Sequence, residues 1–300
     1  MRFGISPLSY DLIIDGVLKE KGLKGLSEFH FSDVVEGVAA AGYQHCEIQL
    51  DLFQVFPIQI NQREIEKLKK IKNQYGITYS AHFPFLSIDI AGPNKFIREG
   101  SVQSLINAYN SLKQMESDID VFVLHPSGET VKEVLEFIIS PEIRFIVTEL
   151  LAENSIQSIK KLIKETKINT NKIAIENVEF PFDATIKIIK KLNSKLCLDT
   201  AHLLGGLSGN FDLLDIVKDY LDLTSEVHLQ DYSDKPTSEH GALGTGRNFP
   251  PEFLKLINQN NFKGPIVFEL LDEEAILSIE YIKKHAPEIK VPEIKHQSFY

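Results

Sequence analysis

Two apolar rhythms alternate along the chain. Short runs rich in β-branched and aromatic residues, with few charges, stand at 2–6 (RFGIS), 45–50 (HCEIQL), 78–83 (TYSAHF) and 121–125 (VFVLH). Four more follow at 172–177 (KIAIEN), 195–199 (KLCLD), 226–230 (EVHLQ) and 265–270 (PIVFEL). Such composition suits strands covered on both faces. Between them, longer stretches return an apolar residue every third or fourth position and set lysines on the other face, most clearly at 63–76, 155–166, 183–193 and 273–285. Eight strands, each followed by a helix, predict a single-domain α/β fold, the (β/α)8 TIM barrel. A doubly wound sheet fits less well, because no Gly-rich turn follows the first strand. The barrel is expected over 1–286, with a polar tail over 287–300 that wraps or frays. The interval 128–170 is too long for one barrel helix and is expected to hold two, the extra one covering the site or a partner subunit.

Polar residues break this pattern mainly at the C-terminal ends of the predicted strands. The third strand supplies His82, the fourth His125, and the fifth Glu176 with Asn177 after it. The sixth supplies Asp199 with His202, the seventh His228 with Asp231, and the eighth Glu269. In a closed barrel these ends meet at one mouth, the face where such folds do chemistry. A buried carboxylate or imidazole is costly alone, so these groups must compensate each other or share an ion. Of nine histidines, five (His82, His125, His202, His228 and His240) fall at strand ends or in the following loops. One alone would be an ordinary hydrogen-bonded core histidine. The set points to a divalent cation, and mixed carboxylates and imidazoles suit Zn2+ or Mn2+ better than Mg2+ or a soft metal.

Charge narrows the partners. The net charge is −10, and the arginines are only Arg2, Arg63, Arg98, Arg144 and Arg247. Nucleic acid is therefore a less expected partner than a small molecule. Cys46 and Cys197 lie in predicted buried strands and read as inert thiols of a reducing compartment. The first residues lack a signal-peptide core and no apolar run spans a bilayer, so a cytoplasmic protein without membrane contact is expected. The loop GALGTGRN (241–248) could seat a phosphate on its amides, with Arg247 adding charge, although it lacks P-loop spacing and a plain glycine-rich loop is the commoner outcome.

The segments AHFPFLSIDIAG (81–92), VLHPSGE (123–129), AIEN (174–177), CLDTAHLLGG (197–206), VHLQD (227–231), HGALGTG (240–246) and VFEL (267–270) stand in an order that resembles the xylose-isomerase-like TIM-barrel superfamily. That group joins sugar isomerases and epimerases to the endonuclease IV DNA-repair enzymes. The resemblance implies that Glu176, Asp199, His228 and Glu269 match the four-ligand metal site of the isomerases and epimerases, with His202 near the substrate. It also implies that these positions, with His82, His125 and His240, match most of the three-zinc cluster of endonuclease IV. The departure is Ser238, which stands where the repair enzymes have an aspartate ligand; Glu239 and Asp234 lack the matching spacing.

Three functions follow from this. In a sugar or sugar-phosphate isomerase or epimerase, one divalent ion would stabilise an enediolate while Glu176 and Glu269 remove and return a proton; His202 would steady the developing charge. His82 and His125 would then line the pocket or bind a second ion. In a phosphodiester hydrolase acting on abasic DNA, two or three zinc ions would activate water, and Phe85 with Leu86 would sit where the repair enzymes wedge the duplex. The third is a non-catalytic metal- or ligand-binding barrel, disfavoured because both glutamates are present. The acidic charge, the few arginines and Ser238 tilt the sequence towards the isomerase or epimerase. An oligomer is compatible with it.

Overall fold

The computed structural model describes residues 1–7, 17, 19–56, 58–178, 180–235, 238–247 and 249–295. Parallel strands β1 (Arg2–Ile5), β2 (His45–Gln49), β3 (Thr78–His82), β4 (Ile119–Leu124), β5 (Ile173–Glu176), β6 (Lys195–Asp199) and β7 (Thr224–His228) occupy the predicted runs. A hairpin, β8 (Asp231–Lys235) with β9 (Ser238–Gly241), precedes the last barrel strand, β10 (Pro265–Phe268). The order β1-β10-β7-β6-β5-β4-β3-β2 closes on itself, β1 pairing with β10 from Arg2↔Pro265 to Ile5↔Phe268 and with β2 at Gly4↔His45. The fold is a single-domain (β/α)8 TIM barrel.

The helices are α1 (Lys19–Glu28), α2 (Phe31–Ala41), α3 (Leu52–Val55), α4 (Gln62–Tyr75), α5 (Lys95–Leu112) and α6 (Glu129–Phe137). They continue with α7 (Pro141–Thr166), α8 (Phe182–Leu192), α9 (Thr200–Leu204), α10 (Leu213–Tyr220), α11 (Glu252–Gln259) and α12 (Asp272–His285). Their ends follow local chemistry. The Asn61 side chain accepts the Glu64 amide to start α4, and Gly76, at φ 72°, ends it. Ser140 caps α7 with Pro141 in its first turn. Helices α2, α5, α7, α8 and α11 each lay apolar residues on the outer face of the barrel, where Phe31, Leu105, Tyr109, Ile159, Ile188 and Phe253 are buried.

Inside the barrel the side chains divide by chemistry. Val121, Val123, Ala174 and Cys197 form a small apolar cluster, while His45, Glu47, Ser80 and Glu226 are fully buried polar residues. Gly4 is required here: a Cβ would lie 2.5 Å from the His45 carbonyl oxygen and 2.6 Å from its Cβ.

The 128–170 interval holds α6 and α7. The Ser155 and Ser158 hydroxyls donate to the Pro126 and Ile90 carbonyls, both 2.7 Å, tying mid-α7 to the loops at the strand C-terminal ends. The turns before Ser155 carry the exposed Phe137 (85%), Ile139 (92%) and Phe145 (68%). Beyond α12, Ile289 is buried and the Lys295 amide donates to Ala41 O at 2.9 Å; residues 296–300 of the expected tail lie outside the described residues. Among the described residues, no helix is long and apolar enough to cross a membrane.

Candidate metal centre

Alternation along a strand decides which side chains enter the lumen, and its last inward position lies at the rim. That position is His82 on β3, Glu176 on β5, Asp199 on β6 and His228 on β7; His125 and Glu269 each follow the end of their strand by one residue. Asp199 both ends β6 and caps α9, its Oδ1 accepting the His202 amide at 2.7 Å. The cap brings the His202 ring round to the same side as the aspartate that precedes it. Asn177 locks β5 to β6, donating to Asp199 O at 2.9 Å and accepting the Asp199 amide at 2.8 Å. His240 arrives from β9, and its Nε2 lies 3.3 Å from His202 Nε2.

Glu176 stands in the middle. Its Oε2 is 3.1 Å from His82 Nε2 and 3.3 Å from His125 Nε2. Its Oε1 is 3.2 Å from His202 Nδ1 and 3.8 Å from His228 Nδ1. Glu269 Oε2 lies 3.3 Å from His228 Nδ1 and 3.7 Å from His240 Nδ1. Asp199 Oδ2 is 3.8 Å from His228 Nδ1 and accepts Gln230 Nε2 at 2.6 Å. Five overlapping donor groups result among the described residues, each within 4.8 Å: at the rim His82, His125 and Glu176; Glu176, Asp199, His228 and Glu269; and Asp199, His202 and His240; and deeper in the lumen Glu176, Cys197 and His228, and Glu47, Glu226 and His228. Neighbouring rim groups share Glu176 or Asp199.

Burial opposes charge on His82, His202, His228, Glu176 and Glu269, and mutual attraction overrides it. Burial pulls the His82 imidazole down, but the Glu176 carboxylate and its neighbours push it up to about 10. His202 is raised to about 9, against burial, by Asp199 and Glu176. Burial likewise lowers His228, yet nearby groups including Glu269 and Glu47 hold it well above the usual imidazole range. Burial raises Glu176, but His125 and His228 hold it well below the usual carboxylate range. Glu269 is lowered in the same way by His228.

The donor set suits a divalent ion. His82 Nδ1 lies 2.8 Å from the Phe83 carbonyl, which only an N–H can approach so closely. Its Nε2 then faces the Glu176 carboxylate, so a proton or a cation must separate two acceptors. His202 Nδ1 and both ring nitrogens of His228 are buried without an aligned hydrogen bond. Imidazole nitrogens turned onto shared carboxylates fit Zn2+ or Mn2+ chemistry.

At the rim, Phe85 stacks on His125 with centroids 5.0 Å apart and 20° between planes. Asp51 holds that loop, accepting the Phe85 and Leu86 amides at 3.0 and 3.2 Å. The Arg247 guanidinium lies 4.8 Å over the Tyr232 ring. The glycine-rich loop folds inward onto Asp231, whose Oδ2 accepts the amides of Gly244 (3.0 Å), Gly246 (3.1 Å) and Phe249 (3.4 Å). The loop amides that the sequence offered to a phosphate donate to a carboxylate instead, and Asp231 serves the loop. The Ser238 and Asp234 side chains lie outside the described residues.

Strand ends alone did not reveal Glu47, Gln49, Glu226 or Gln230. Gln230 Nε2 reaches both Asp199 Oδ2 and, at 3.4 Å, Glu269 Oε2; Gln49 Nε2 reaches Glu269 Oε1 at 3.4 Å. The signal was period-two alternation: HCEIQL sets Glu47 and Gln49 on one side, and EVHLQ sets Glu226 and Gln230 beside His228.

Fold and site together define a (β/α)8 barrel with a cluster of carboxylates and imidazoles at its C-terminal rim. A family described as xylose isomerase-like TIM barrel matches residues 35–288, and the chain belongs to that family. No curated protein matches it in sequence. A D-tagatose 3-epimerase-like protein superposes with TM-score 0.66 at 18% identity, covering 96% of this chain and 98% of its own. Endonuclease IV from Thermus thermophilus does so with TM-score 0.67 at 15% identity, covering 96% and 100%. D-psicose 3-epimerase from Clostridium cellulolyticum gives TM-score 0.64 at 15% identity, covering 95% and 99%. At these identities the likeness concerns the fold.

Proposed function

We propose that the protein is a divalent-metal-dependent phosphodiester hydrolase whose substrate is small or short rather than a long duplex. The observation that carries this is the position of Glu176, with one oxygen facing His82 and His125 and the other facing His202 and His228. A carboxylate engaged on both oxygens suits a bridge between ions better than a base that takes a proton from carbon. Glu176 and Asp199 would hold the ions together with His82, His125, His202, His228, His240 and Glu269. When bound, such ions supply Lewis acidity to a phosphoryl group and acidify water, the chemistry of sites with two or more metals.

The chain's own groups do the rest. Glu269, with 15% of its side chain exposed, is the most open carboxylate of the cluster and stands where substrate and solvent would enter. Gln49 and Gln230 hold its two oxygens in place. Phe85 on His125 gives the substrate an apolar wall, and Arg247 lies on the hairpin side. A net charge of −10 offers no counterion-release gain on duplex DNA, which favours a small phosphodiester.

A second reading is a sugar isomerase or epimerase, because Glu176, Asp199, His228 and Glu269 form a complete set for a single ion. In that reading Glu176 and Glu269 exchange the proton and His202 contacts the substrate. Metal analysis after loading with Zn2+ or Mn2+, combined with bis(p-nitrophenyl) phosphate hydrolysis, separates the two. The hydrolase requires at least two ions per chain and metal-dependent release of nitrophenol. One ion per chain, no hydrolysis, and exchange of solvent deuterium into ketoses would establish the second reading instead.

A further inference from the structure

We infer that Glu47 is a positioning residue of this centre: its buried carboxylate takes the Nε2–H of His228, so that Nδ1 stays bare and turned to the rim. The inference rests on the metal-centre reading above. His228 is fully buried between two layers of carboxylates. On the rim side, Nδ1 lies 3.3 Å from Glu269 Oε2, 3.8 Å from Asp199 Oδ2 and 3.8 Å from Glu176 Oε1. On the inner side, Nε2 lies 3.4 Å from Glu47 Oε2 and 3.9 Å from Glu226 Oε1. A neutral imidazole has one N–H, and both nitrogens face carboxylate oxygens, so the proton must choose a side.

The surroundings choose for it. Glu226 Oε1 already accepts the Ser80 hydroxyl at 2.8 Å, and Ser80 in turn meets His45 Nε2 at 2.9 Å. Glu47 has no such service: neither of its oxygens has a hydrogen-bond partner, and the residue is fully buried. His228 Nε2 is the donor within ion-pair distance of it. The rim side is where Glu176, Asp199 and Glu269 converge with Nδ1 as one donor group. With Nε2–H given to Glu47, Nδ1 completes that group. A carboxylate behind a ligating imidazole fixes its tautomer, steadies the ring and raises its basicity.

Glu47→Gln keeps the shape and puts a neutral amide in place of the carboxylate. Removing one side of a buried carboxylate–imidazole pair also costs stability, so metal affinity and the ring tautomer, not the unfolding temperature, are the readouts for this variant. Its Zn2+ affinity, from competition with a chromophoric chelator, should fall by about 10–100-fold. In zinc-loaded wild type, 15N NMR of the His228 ring should show Nε2 protonated and Nδ1 without a proton. If Glu47→Gln does not fold, Glu47→Asp carries the comparison, with affinity reduced by its shorter reach. A folded variant with zinc affinity within twofold of wild type, or a His228 protonated at Nδ1 in the loaded protein, would overturn the inference. Wild type that takes up no zinc at all removes the metal-centre reading itself, a result distinguishable from either.

Discussion

Glu176 has two oxygens, and four imidazoles lie within 3.8 Å of them. An amide in its place keeps the volume but has one acceptor, and its NH2 would point at a ring nitrogen that needs a negative partner. Glu176→Gln is therefore expected to lose at least one bound ion per chain and to lower hydrolysis by three orders of magnitude or more, on the order of what bridging metals and oriented water contribute. Elemental analysis beside the rate checks it; full metal content with full rate would take Glu176 out of the centre. Asp231 makes the contrast. It accepts the amides of Gly244, Gly246 and Phe249 and belongs to none of the donor groups found among the described residues. Asp231→Ala removes the acceptor of all three amides; the exposed Gly244 and Gly246 amides turn to water while the Phe249 amide stays buried, so the variant should destabilise by about 1–3 kcal/mol. A urea midpoint lowered by that amount, with metal content unchanged when folded, separates loop support from metal binding.

At the scale of elements, the parallel strands were legible because each is a short apolar run covered on both faces, a pattern that survives whatever packs outside it. The β8–β9 hairpin was not. DYSDKPTSEHG is polar, contains a proline and lacks alternation, so nothing in it signals strands; tertiary contact makes it pair and carries the His240 ring to His202. The polar half of the lumen was missed for a different reason. Barrel interiors are expected to be branched and apolar, and attention to strand ends passed over Glu47 and Glu226 one step deeper. The rim donors themselves were legible, because charged residues at successive strand ends are hard to reconcile with a plain core. Helices α6 and α7 fill their interval, and the first turns of α7 have little to pack against: Phe145 is 68% and Ile146 58% exposed. The double variant Phe145→Lys, Ile146→Lys should accordingly shift stability by no more than about 0.5 kcal/mol, the usual limit for surface positions. A larger loss of thermal midpoint would mean that these side chains are covered in solution.

For the whole molecule, an ion bound at the rim would couple metal, protons and folding. In the metal-free state His82 and His202 are raised to about 10 and about 9 by the carboxylates around them. A histidine whose folded pKa exceeds its unfolded value of about 6.5 adds stability below that pH and loses it as pH climbs through the folded value. Glu176 and Glu269 are lowered, so their contribution is present above about 4.5 and disappears as pH falls further. The contribution of these four groups should thus be greatest between about pH 4.5 and 6.5 and shrink towards pH 9–10. A divalent ion at the same donors must displace the imidazole protons, so its affinity rises with pH. Bound metal also stabilises the folded state in proportion to the logarithm of its concentration over Kd. These two trends pull apart with pH. The difference in unfolding temperature between zinc-loaded and EDTA-treated protein should be small at pH 6 and widen by pH 8. Calorimetric titration in two buffers of different ionisation enthalpy should show protons released on zinc binding. A gap that stays constant from pH 6 to 8, with no proton release, would mean that the ion binds where these imidazoles are not, and that their convergence on Glu176 serves the fold alone.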